Sequence, residues 1–326
     1  MSPAAMPTDP RSTVEKSAVI LASCAPALGR DEDEPLLLAA LAGVGVAAGV
    51  ADWADPAVDW AAADAVVVRS TWDYAPRRAD FLAWARRVEA GTRLFNPSSV
   101  LEWNTDKRYL GELADAGIPV VPTAWAGSRE ELAAAVARWD DVVVKPTVSA
   151  GARDTARFRP GERGRATDFG AGILATGRSV MVQPYLARLD AEGETGLVYV
   201  DGAYSHAFGK GALLAGAALG PGLYAEEVIE PRSATPAQRA VGDAVLAATA
   251  GRTGGAPLYA RVDVVPGPDG EPSLLELELT EPSLFLTTDG NAAERFARAI
   301  AARLLAAGPR ADTPGASDRP RDDRGR

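Results

Sequence analysis

The chain has 326 residues, and 34 lysines and arginines stand against 44 aspartates and glutamates, so its formal net charge is −10. It contains one histidine, His206, and one cysteine, Cys24. These counts exclude a cysteine- and histidine-rich zinc site and a disulfide within the chain. A serine–histidine–aspartate triad would have to be built on His206 alone. We therefore expect any enzymatic chemistry to use carboxylates, lysine, arginine and a hard metal ion.

The overall composition is that of a globular protein of two or three domains. Hydrophobic residues make up 47% of the chain, which is enough for sizeable cores. The acidic balance argues against nucleic-acid binding, which needs clustered lysine and arginine. No apolar run reaches the roughly 18–20 residues of a membrane span, and residues 1–17 lack the apolar segment of a signal peptide. We expect a cytoplasmic protein with no nucleic-acid or membrane partner.

The first third of the chain has the pattern of a parallel α/β domain, in which short apolar runs alternate with helical segments. The runs predict strands at residues 18–24, 65–69 and 93–95. Parallel sheets place their functional loops at the carboxyl ends of the strands. The loop at residues 70–74 has that position, so Trp72, Asp73 and Tyr74 are candidates for a substrate pocket. A packing role for these aromatic residues is equally compatible with the sequence.

From Thr105 onward the pattern of strands and helices changes. A capping box at Ser128 and Glu131 predicts the start of one helix. Further segments predict helices at residues 106–116 and 291–306 and strands at residues 142–144, 180–182, 258–265 and 273–279.

Three carboxylates on two neighbouring predicted strands are the strongest chemical signal. Asp263 lies on the first strand, Glu276 and Glu278 lie on the second, and the turn at residues 266–272 is compatible with a hairpin. Alternation places both glutamates on one face and directs three leucines to the other, core-facing side, namely Leu275, Leu277 and Leu279. Hard carboxylate oxygens suit Mg²⁺. A solvated edge face is the alternative, but the leucines and the nearby Arg261 favour a metal site.

Lysine is rare in this arginine-rich chain and occurs at positions 16, 107, 145 and 210. A lysine retained in such a composition indicates a need for a compact point charge. Lys145 ends an apolar strand just before a loop of small residues at 148–152, whose backbone N–H groups can approach phosphate oxygens. The loop matches neither the Walker nor the Rossmann glycine pattern, so a plain turn is equally compatible with it.

The order of these segments from Asn104 onward resembles the ATP-grasp superfamily of carboxylate–amine ligases. Seven pieces occur in the matching order, namely TDK, VVVKP, SAGA, VQPYL, GE, RVD and ELE. The segments STWDY, YSHAFGKG and ELELTEPSLFL further resemble the branch that contains the cycloserine-forming cyclo-ligase, with glutathione synthetase and D-alanine–D-alanine ligase as more distant relatives. The resemblance implies an ATP-grasp fold of the α/β (α+β) class behind an N-terminal parallel α/β (pre-ATP-grasp) domain.

The resemblance covers roughly residues 18–308 and divides them into three regions. We expect the pre-ATP-grasp domain at residues 18–103, the small ATP-grasp lobe at 104–186 and the large lobe with the metal site at 187–308. Residues 1–17 and 309–326 are predicted to be disordered, because they cannot bury a core.

Carried over position by position, the resemblance implies a nucleotide site made of two phosphate-binding lysines, a loop that closes over the phosphates, an adenine-binding hinge and a ribose-binding glutamate. In that order the residues are Lys107 and Lys145; Ser149 and Gly151; Gln183, Tyr185 and Leu186; and Glu194.

The resemblance also implies a catalytic and metal-binding set. Asp263, Glu276 and Glu278 would hold two Mg²⁺ ions, and Arg261 would face the transferred phosphoryl group. Lys210 would bind phosphate or the acyl intermediate, although a solvated hairpin end is equally compatible with its position.

Other positions are less well defined by the resemblance. Glu281 and Ser283 follow the metal strand, where relatives place contacts to the acyl substrate. Glu278 stands where many relatives have asparagine, which makes this metal site more acidic. The insertion before Glu194 makes Asp190 and Glu192 alternative ribose ligands.

Three features outside these motifs have simpler interpretations. His206 alternates with apolar neighbours and is more typical of a structural, hydrogen-bonding histidine than of a catalyst. Cys24 is expected to be a small buried hydrophobe. The acidic run at residues 31–34 has no expected task beyond solubility.

Together these assignments imply an ATP- and Mg²⁺-dependent carbon–nitrogen ligase that forms ADP. A substrate carboxylate would attack the γ-phosphate to give an acyl phosphate, which a nitrogen nucleophile would convert into an amide. The expected substrates are small and amino-acid-like, and a homodimer is common in the relatives. The alternatives are an intramolecular cyclo-ligase of the cycloserine-forming type, a kinase-like phosphotransferase and a nucleotide-binding module without turnover.

Overall fold

Three β-sheets carry the fold of this protein. The computed structural model describes residues 18–211 and 228–306, and the predicted disordered segments 1–17 and 309–326 lie outside the described residues. In this described part, none of the helices is both long and apolar enough to cross a membrane. One sheet is parallel and two are antiparallel, which agrees with the predicted α/β (α+β) class.

The N-terminal sheet is parallel throughout. Its strands are β1 (Val19–Ser23), β2 (Ala48–Asp52), β3 (Ala65–Val68) and β4 (Arg93–Phe95), and its helices are α1 (Asp33–Gly43), α2 (Arg78–Gly91) and α3 (Ser98–Asn104). The strand order is β2-β1-β3-β4. Every residue of β1 and β3 is buried, with successive side chains in cores on opposite faces. Burial on both faces explains their continuous apolar sequences.

The second sheet is antiparallel, as its pairings show. Its strands are β5 (Ala124–Ala126), β6 (Val142–Pro146), β7 (Ala156–Phe158) and β8 (Val180–Pro184), with helices α4 (Tyr109–Asp115), α5 (Arg129–Val136) and α6 (Arg163–Leu174) nearby. The predicted capping box at the start of α5 is formed only in part. Ser128 accepts the N–H of Glu131, but the Glu131 carboxylate accepts the N–H of Gly127 instead of that of Ser128.

The third and central sheet is also antiparallel. Its strands are β9 (Glu194–Val200), β10 (Ala203–Lys210), β11 (Ile229–Arg232), β12 (Tyr259–Pro266) and β13 (Pro272–Glu278), and its helices are α7 (Leu189–Glu192), α8 (Pro236–Thr253) and α9 (Ala292–Ala306). The order β11-β10-β9-β12-β13 places β12 and β13 side by side, so the predicted hairpin at residues 266–272 is present.

A β-bulge in this hairpin changes the predicted alternation. Asp263 pairs with Glu276, whereas the next residue, Val264, pairs with Leu274. Leu275 is therefore the extra residue on β13 and lies on the cavity side with Glu276. The expectation that Leu275 faces the core was wrong, and Leu274 takes that place.

Buried asparagine side chains join the N-terminal sheet to the central sheet. Asn96 donates through Nδ2 to the carbonyls of Tyr259 and Leu279, at 2.9 and 2.7 Å, and its Oδ1 accepts the N–H of Leu258 at 3.0 Å. Asn104 similarly donates to the carbonyl oxygen of Leu277 and accepts the N–H of Leu279. Asn104 thus covers part of the open edge of β13 and the residue after it, and Asn96 satisfies backbone groups where β12 begins and just after β13 ends.

Replacing Asn96 should therefore destabilise the whole fold. Asn96→Ala removes three hydrogen bonds and leaves buried backbone groups without partners, so we expect the free energy of unfolding to fall by about 3 kcal/mol. Urea denaturation measures this change. The exposed Asn291 is the matched control, and Asn291→Ala should stay within about 0.5 kcal/mol of the wild type. Equal effects of the two substitutions would contradict the role given to Asn96.

Candidate active site

Residues from all three sheets line a cavity of about 680 Å³. Most of the site residues expected from the sequence lie on its wall. From the N-terminal sheet and the second sheet these are Trp72, Tyr74, Lys107, Lys145, Ser149, Gly151, Gln183, Tyr185 and Leu186. From the central sheet and the segment after it they are Glu194, Lys210, Arg261, Asp263, Glu276, Glu278, Glu281 and Ser283.

Asp73 is the one residue of the predicted set that does not line this cavity. Its carboxylate accepts the indole N–H of Trp53 at 2.8 Å and pairs with Arg77. It is therefore directed into the aromatic core of the N-terminal domain, and its neighbours Trp72 and Tyr74 face the cavity instead.

The central-sheet wall of the cavity carries charged residues in register on adjacent strands. Arg261 pairs with Glu278, and Asp263 pairs with Glu276. On the other side of β12, Asp263 pairs with Gly196. Gly196 has no side chain, and the Phe208 ring occupies the space that a Cβ would take there. The Arg261 guanidinium lies 6.0 Å from the centroid of this ring.

Ion pairs connect most of these charges. Arg261 donates from Nε and Nη2 to Asp263 at 2.9 and 2.8 Å and also contacts the Glu278 carboxylate. The Nζ of Lys210 lies 3.1 Å from Asp263 and 2.7 Å from Glu194. The Asp263 carboxylate is thus held between two cations.

The two lysines predicted to bind phosphate differ in their surroundings. Lys107 lies 2.9 Å from Glu276 and donates to the backbone carbonyl of Ser149 at 2.9 Å. The Nζ of Lys145 has no hydrogen bond or ion pair with any residue in the described segments. Burial lowers the pKa of Lys145 from 10.5 to about 8. Lys145 is therefore a cation on the cavity wall that no side chain of the described residues neutralises by direct contact.

Carboxylates outnumber cations on this part of the wall. Five carboxylates, those of Glu194, Asp263, Glu276, Glu278 and Glu281, face four cations, Lys107, Lys145, Lys210 and Arg261. Burial raises the pKa of Glu194 and that of Glu278 to about 7, and it raises the pKa of Glu281 well above its ordinary value. Burial also disfavours the ionised form of Asp263, but Arg261 and Lys210 overcome this and hold the pKa of Asp263 below its ordinary range.

The oxygen donors on this wall are of the type that binds divalent cations. Asp263, Glu276 and Glu278 offer hard oxygen ligands on two paired strands. With the side chains as they stand, no three acidic, histidine or cysteine residues in segments 18–211 and 228–306 are grouped to hold one metal ion. Arg261 lies between Asp263 and Glu278, so these two carboxylates are occupied by a guanidinium.

The second sheet forms the opposite side of the cavity. The Gln183 side chain donates to the Thr123 hydroxyl. The backbone that follows Gln183 therefore stays on the cavity wall. Tyr185 donates its hydroxyl to Asp190, so the Asp190 side chain is directed away, and Glu192 pairs with Arg188 on the surface. Of the three acidic candidates for a ribose contact, Glu194 is the one that lines the cavity.

Some residues on the cavity wall were not expected from the sequence. Arg30 and Asp31 follow β1, Asn104 ends α3, and Phe285 and Thr288 follow Glu281. The available signal was that the acidic run belongs to the connection between β1 and α1, since loops that follow parallel strands meet at one edge of the sheet.

His206 and Cys24 lie apart from this chemistry. The His206 Nε2 is 2.8 Å from the Leu284 carbonyl, to which it donates in the neutral form, and Nδ1 is 2.9 Å from the hydroxyl of Ser205. Burial lowers the pKa of His206, consistent with a structural histidine. Cys24 is fully buried and unpaired.

Comparison with known proteins identifies the family. A family model described as the N-terminal domain of D-cycloserine synthetase DcsG matches residues 19–96. The cycloserine biosynthesis protein DcsG of Streptomyces lavendulae is 44% identical over 285 residues, which are 84% of this chain and 94% of that protein. The chain belongs to the DcsG family of ATP-grasp ligases. As a DcsG-family protein, it is a carbon–nitrogen ligase.

Solved structures agree with membership of the DcsG family. The crystal structure of D-cycloserine synthetase DcsG superposes with a TM-score of 0.81 and 41% identity, covering 88% of this chain and 99% of that one. The ATP-grasp ligase PsnB, complexed with a minimal precursor, Mg and ADP, has a TM-score of 0.59 and 20% identity, covering 88% of this chain and 98% of that one. At that identity PsnB supports the fold alone.

The burial of Lys145 leads to a prediction about stability in the absence of ligand. Its pKa is lowered on folding, so its charged form opposes folding below about pH 8. Lys145→Met should therefore raise the free energy of unfolding at pH 7 by about 2 kcal/mol. The gain should shrink between pH 8 and 10.5, where the folded wild type has already lost this proton and the unfolded chain has not.

Chemical denaturation at several pH values measures this dependence. Lys107→Met is the matched control with the opposite sign, because removal of Lys107 leaves Glu276 without its partner at 2.9 Å. A Lys145→Met protein less stable than the wild type at pH 7, or a gain that does not change with pH, would contradict the assignment.

Proposed function

We propose that this DcsG-family ligase is an intramolecular cyclo-ligase. It would activate the carboxylate of a small amino acid with ATP and close an amide bond to a nitrogen of the same molecule. The observation that carries the proposal is the cavity wall of four cations and five carboxylates, in a chain 44% identical to a cycloserine biosynthesis protein over nearly all of that protein.

The nucleotide would lie between the second sheet and the central sheet. Lys145, which forms no ion pair within residues 18–211 and 228–306, supplies a positive charge for the phosphates, and Lys107 supplies a second one beside Glu276. The loop with Ser149 and Gly151 would close over the phosphates. Its backbone at Gly151 and Ala152 has positive φ values of 63° and 54°, a conformation that turns successive N–H groups toward one side.

We assign the remaining contacts to the nucleotide from the positions of the residues on the cavity wall. The backbone of Gln183, Tyr185 and Leu186 would bind the adenine, and Glu194 would bind the ribose. This arrangement uses the two sides of one cavity and keeps the phosphates near the cations.

Mg²⁺ would be held by Asp263, Glu276 and Glu278, and two ions are the number we expect. Bound there, Mg²⁺ would neutralise charge between the nucleotide phosphates and the acidic wall. Arg261 would release Glu278 and turn toward the transferred phosphoryl group. The structure of PsnB with Mg and ADP supports this use of the fold in a distant relative.

The chemistry has two steps. A substrate carboxylate oxygen attacks the γ-phosphorus in line, the bond to the β-phosphate oxygen breaks, and ADP leaves with that electron pair. The substrate nitrogen then attacks the acyl carbon, loses a proton, and expels inorganic phosphate. Arg261 and Lys210 stabilise the negative charge that develops on oxygen during both steps.

Ring closure follows from the chemistry of the product that the relatives are named for. Opening the ring amide of cycloserine gives a serine analogue with an aminooxy group on Cβ, which contains both the carboxylate and the nucleophile. Trp72, Tyr74, Glu281 and Ser283 would surround this substrate. A cytoplasmic location and a homodimer stay predictions of the sequence.

Isotope transfer tests the proposed activation step. With substrate labelled by ¹⁸O in its carboxylate, an acyl phosphate intermediate passes one label to inorganic phosphate. Mass spectrometry should also find a product lighter than the substrate by one water. A stable phosphorylated substrate would support a kinase-like reaction instead, and a product joined from two substrate molecules would rule out the intramolecular route.

Loss of a metal ligand tests the acidic wall. Glu276→Gln replaces an ionised ligand by a neutral one, so we expect ADP release to fall by roughly 100-fold or more at the Mg²⁺ concentration that saturates the wild type. Glu271→Gln is the matched control, because Glu271 is exposed in the turn of the same hairpin, and its rate should not change. Full activity of Glu276→Gln would contradict the metal assignment.

A further inference from the structure

The segment after β13 is held by the N-terminal domain as well as by the central sheet. Trp72 donates its indole N–H to the carbonyl of Glu281 at 3.1 Å. Arg261 donates to the carbonyl of Ser283 at 2.9 Å. His206 donates to the carbonyl of Leu284 at 2.8 Å. Contacts to three carbonyls, those of residues 281, 283 and 284, therefore fix the path of this segment.

The N–H groups that follow converge on one carboxylate from α1. Leu284 and Phe285 donate to Oδ2 of Asp33 at 2.7 and 3.0 Å, and Leu286 donates to Oδ1 at 2.6 Å. Asp33 is 3% exposed. It also accepts from the guanidinium of Arg69 at 3.3 Å.

The backbone conformation at Phe285 explains why a carboxylate is needed there. Phe285 has a φ of 47° and a ψ of 54°, which is the left-handed region. This conformation turns successive N–H groups toward one point and makes a concave anion site, or nest. It is unfavourable for a phenylalanine and persists only when its surroundings determine it. The buried Asp33 satisfies all three N–H groups at once.

The same segment carries side chains into the cavity. Glu281 and Ser283 lie on the cavity wall, and the Ser283 carbonyl holds one nitrogen of Arg261. A shift of the segment would therefore move Arg261 and both side chains together. The nucleotide side of the cavity, formed by Lys107, Lys145 and the second sheet, has no hydrogen bond to residues 281–286 in the described part of the chain.

We propose that Asp33 and Trp72 are positioning residues for the amino-acid half of the reaction. By filling the nest at Leu284–Leu286 and holding the Glu281 carbonyl, they fix Arg261, Glu281 and Ser283 relative to the substrate carboxylate. The proposal rests on the proposed ligase function. It gives a structural task to one member of the acidic run at residues 31–34.

The experiment compares steady-state constants for both substrates in Asp33→Asn, Trp72→Phe and the wild type. Asp33→Asn keeps the size of the side chain but removes its charge. Trp72→Phe keeps an aromatic ring on the cavity wall and removes the indole N–H. For Asp33→Asn we expect the KM for the aminooxy amino acid to rise about 10-fold and kcat to fall about 10-fold, with the KM for ATP within about 2-fold of the wild type. For Trp72→Phe we expect the KM for the aminooxy amino acid and kcat to change in the same directions by a few-fold, again with little change in the KM for ATP.

Amide hydrogen exchange gives a second readout that is independent of turnover. In both variants, exchange should quicken at Leu284, Phe285 and Leu286 and stay unchanged in β6. Asp243→Asn is the matched control. Asp243 lies on α8, accepts a hydrogen bond from the Tyr199 hydroxyl at 2.8 Å and does not line the cavity. It should leave both KM values unchanged.

The outcomes separate the two proposals. Wild-type protein that makes no product would count against the proposed function. Active wild type together with folded variants whose KM values are both unchanged would overturn the positioning role, as would equal rises of both KM values. If Asp33→Asn does not accumulate as folded protein, an unchanged amino-acid KM in Trp72→Phe overturns the proposal and a selective rise supports it.

Discussion

Burying carboxylates beside one another is costly unless cations or hydrogen bonds neutralise them, and that constraint organises the centre of this protein. Asp263 is held by Arg261 and Lys210, and Glu276 is held by Lys107. Burial leaves raised pKa values at Glu194 and Glu278. A wall of this kind fits the proposed binding of divalent cations together with a polyanionic nucleotide, because its carboxylates attract the cations and its lysines and arginine attract the phosphates.

The charged wall stays in place because the N-terminal domain is bonded to it. Asn96 and Asn104 pair with the backbone of β12 and β13, and Asp33 binds the segment that follows. These contacts are made by short polar side chains that are almost fully buried, so small displacements would leave backbone groups unpaired. The cavity is therefore a joint product of all three sheets. The proposed nucleotide side and the proposed substrate side are supported by different contacts.

Much of the fold could be predicted from the sequence, and all but one of the site residues predicted from it line the cavity. Neighbouring residues in the sequence are enough to recognise the apolar runs of β1 and β3 and the turn between β12 and β13. The scarcity of lysine can be seen directly in the composition. The errors also have local causes. The bulge at Leu275 is set by pairing with β12, and Asp73 is turned away by Trp53 and Arg77. Neither partner can be identified from the residues next to these positions.

The sequence by itself determined the types of chemistry available, since one histidine and one cysteine leave carboxylates, lysine, arginine and a hard metal ion. It also determined the alternation that directs Glu276 and Glu278 to one face. Only the tertiary structure decided which charges pair, that among the described residues Lys107 has an ion-pair partner and Lys145 has none, and that Asp33 fills a backbone nest 251 residues away. The physical reason is the distance along the chain over which each effect acts. Side-chain periodicity acts over a few residues, whereas ion pairing and desolvation depend on distances that exist only after distant segments have packed together.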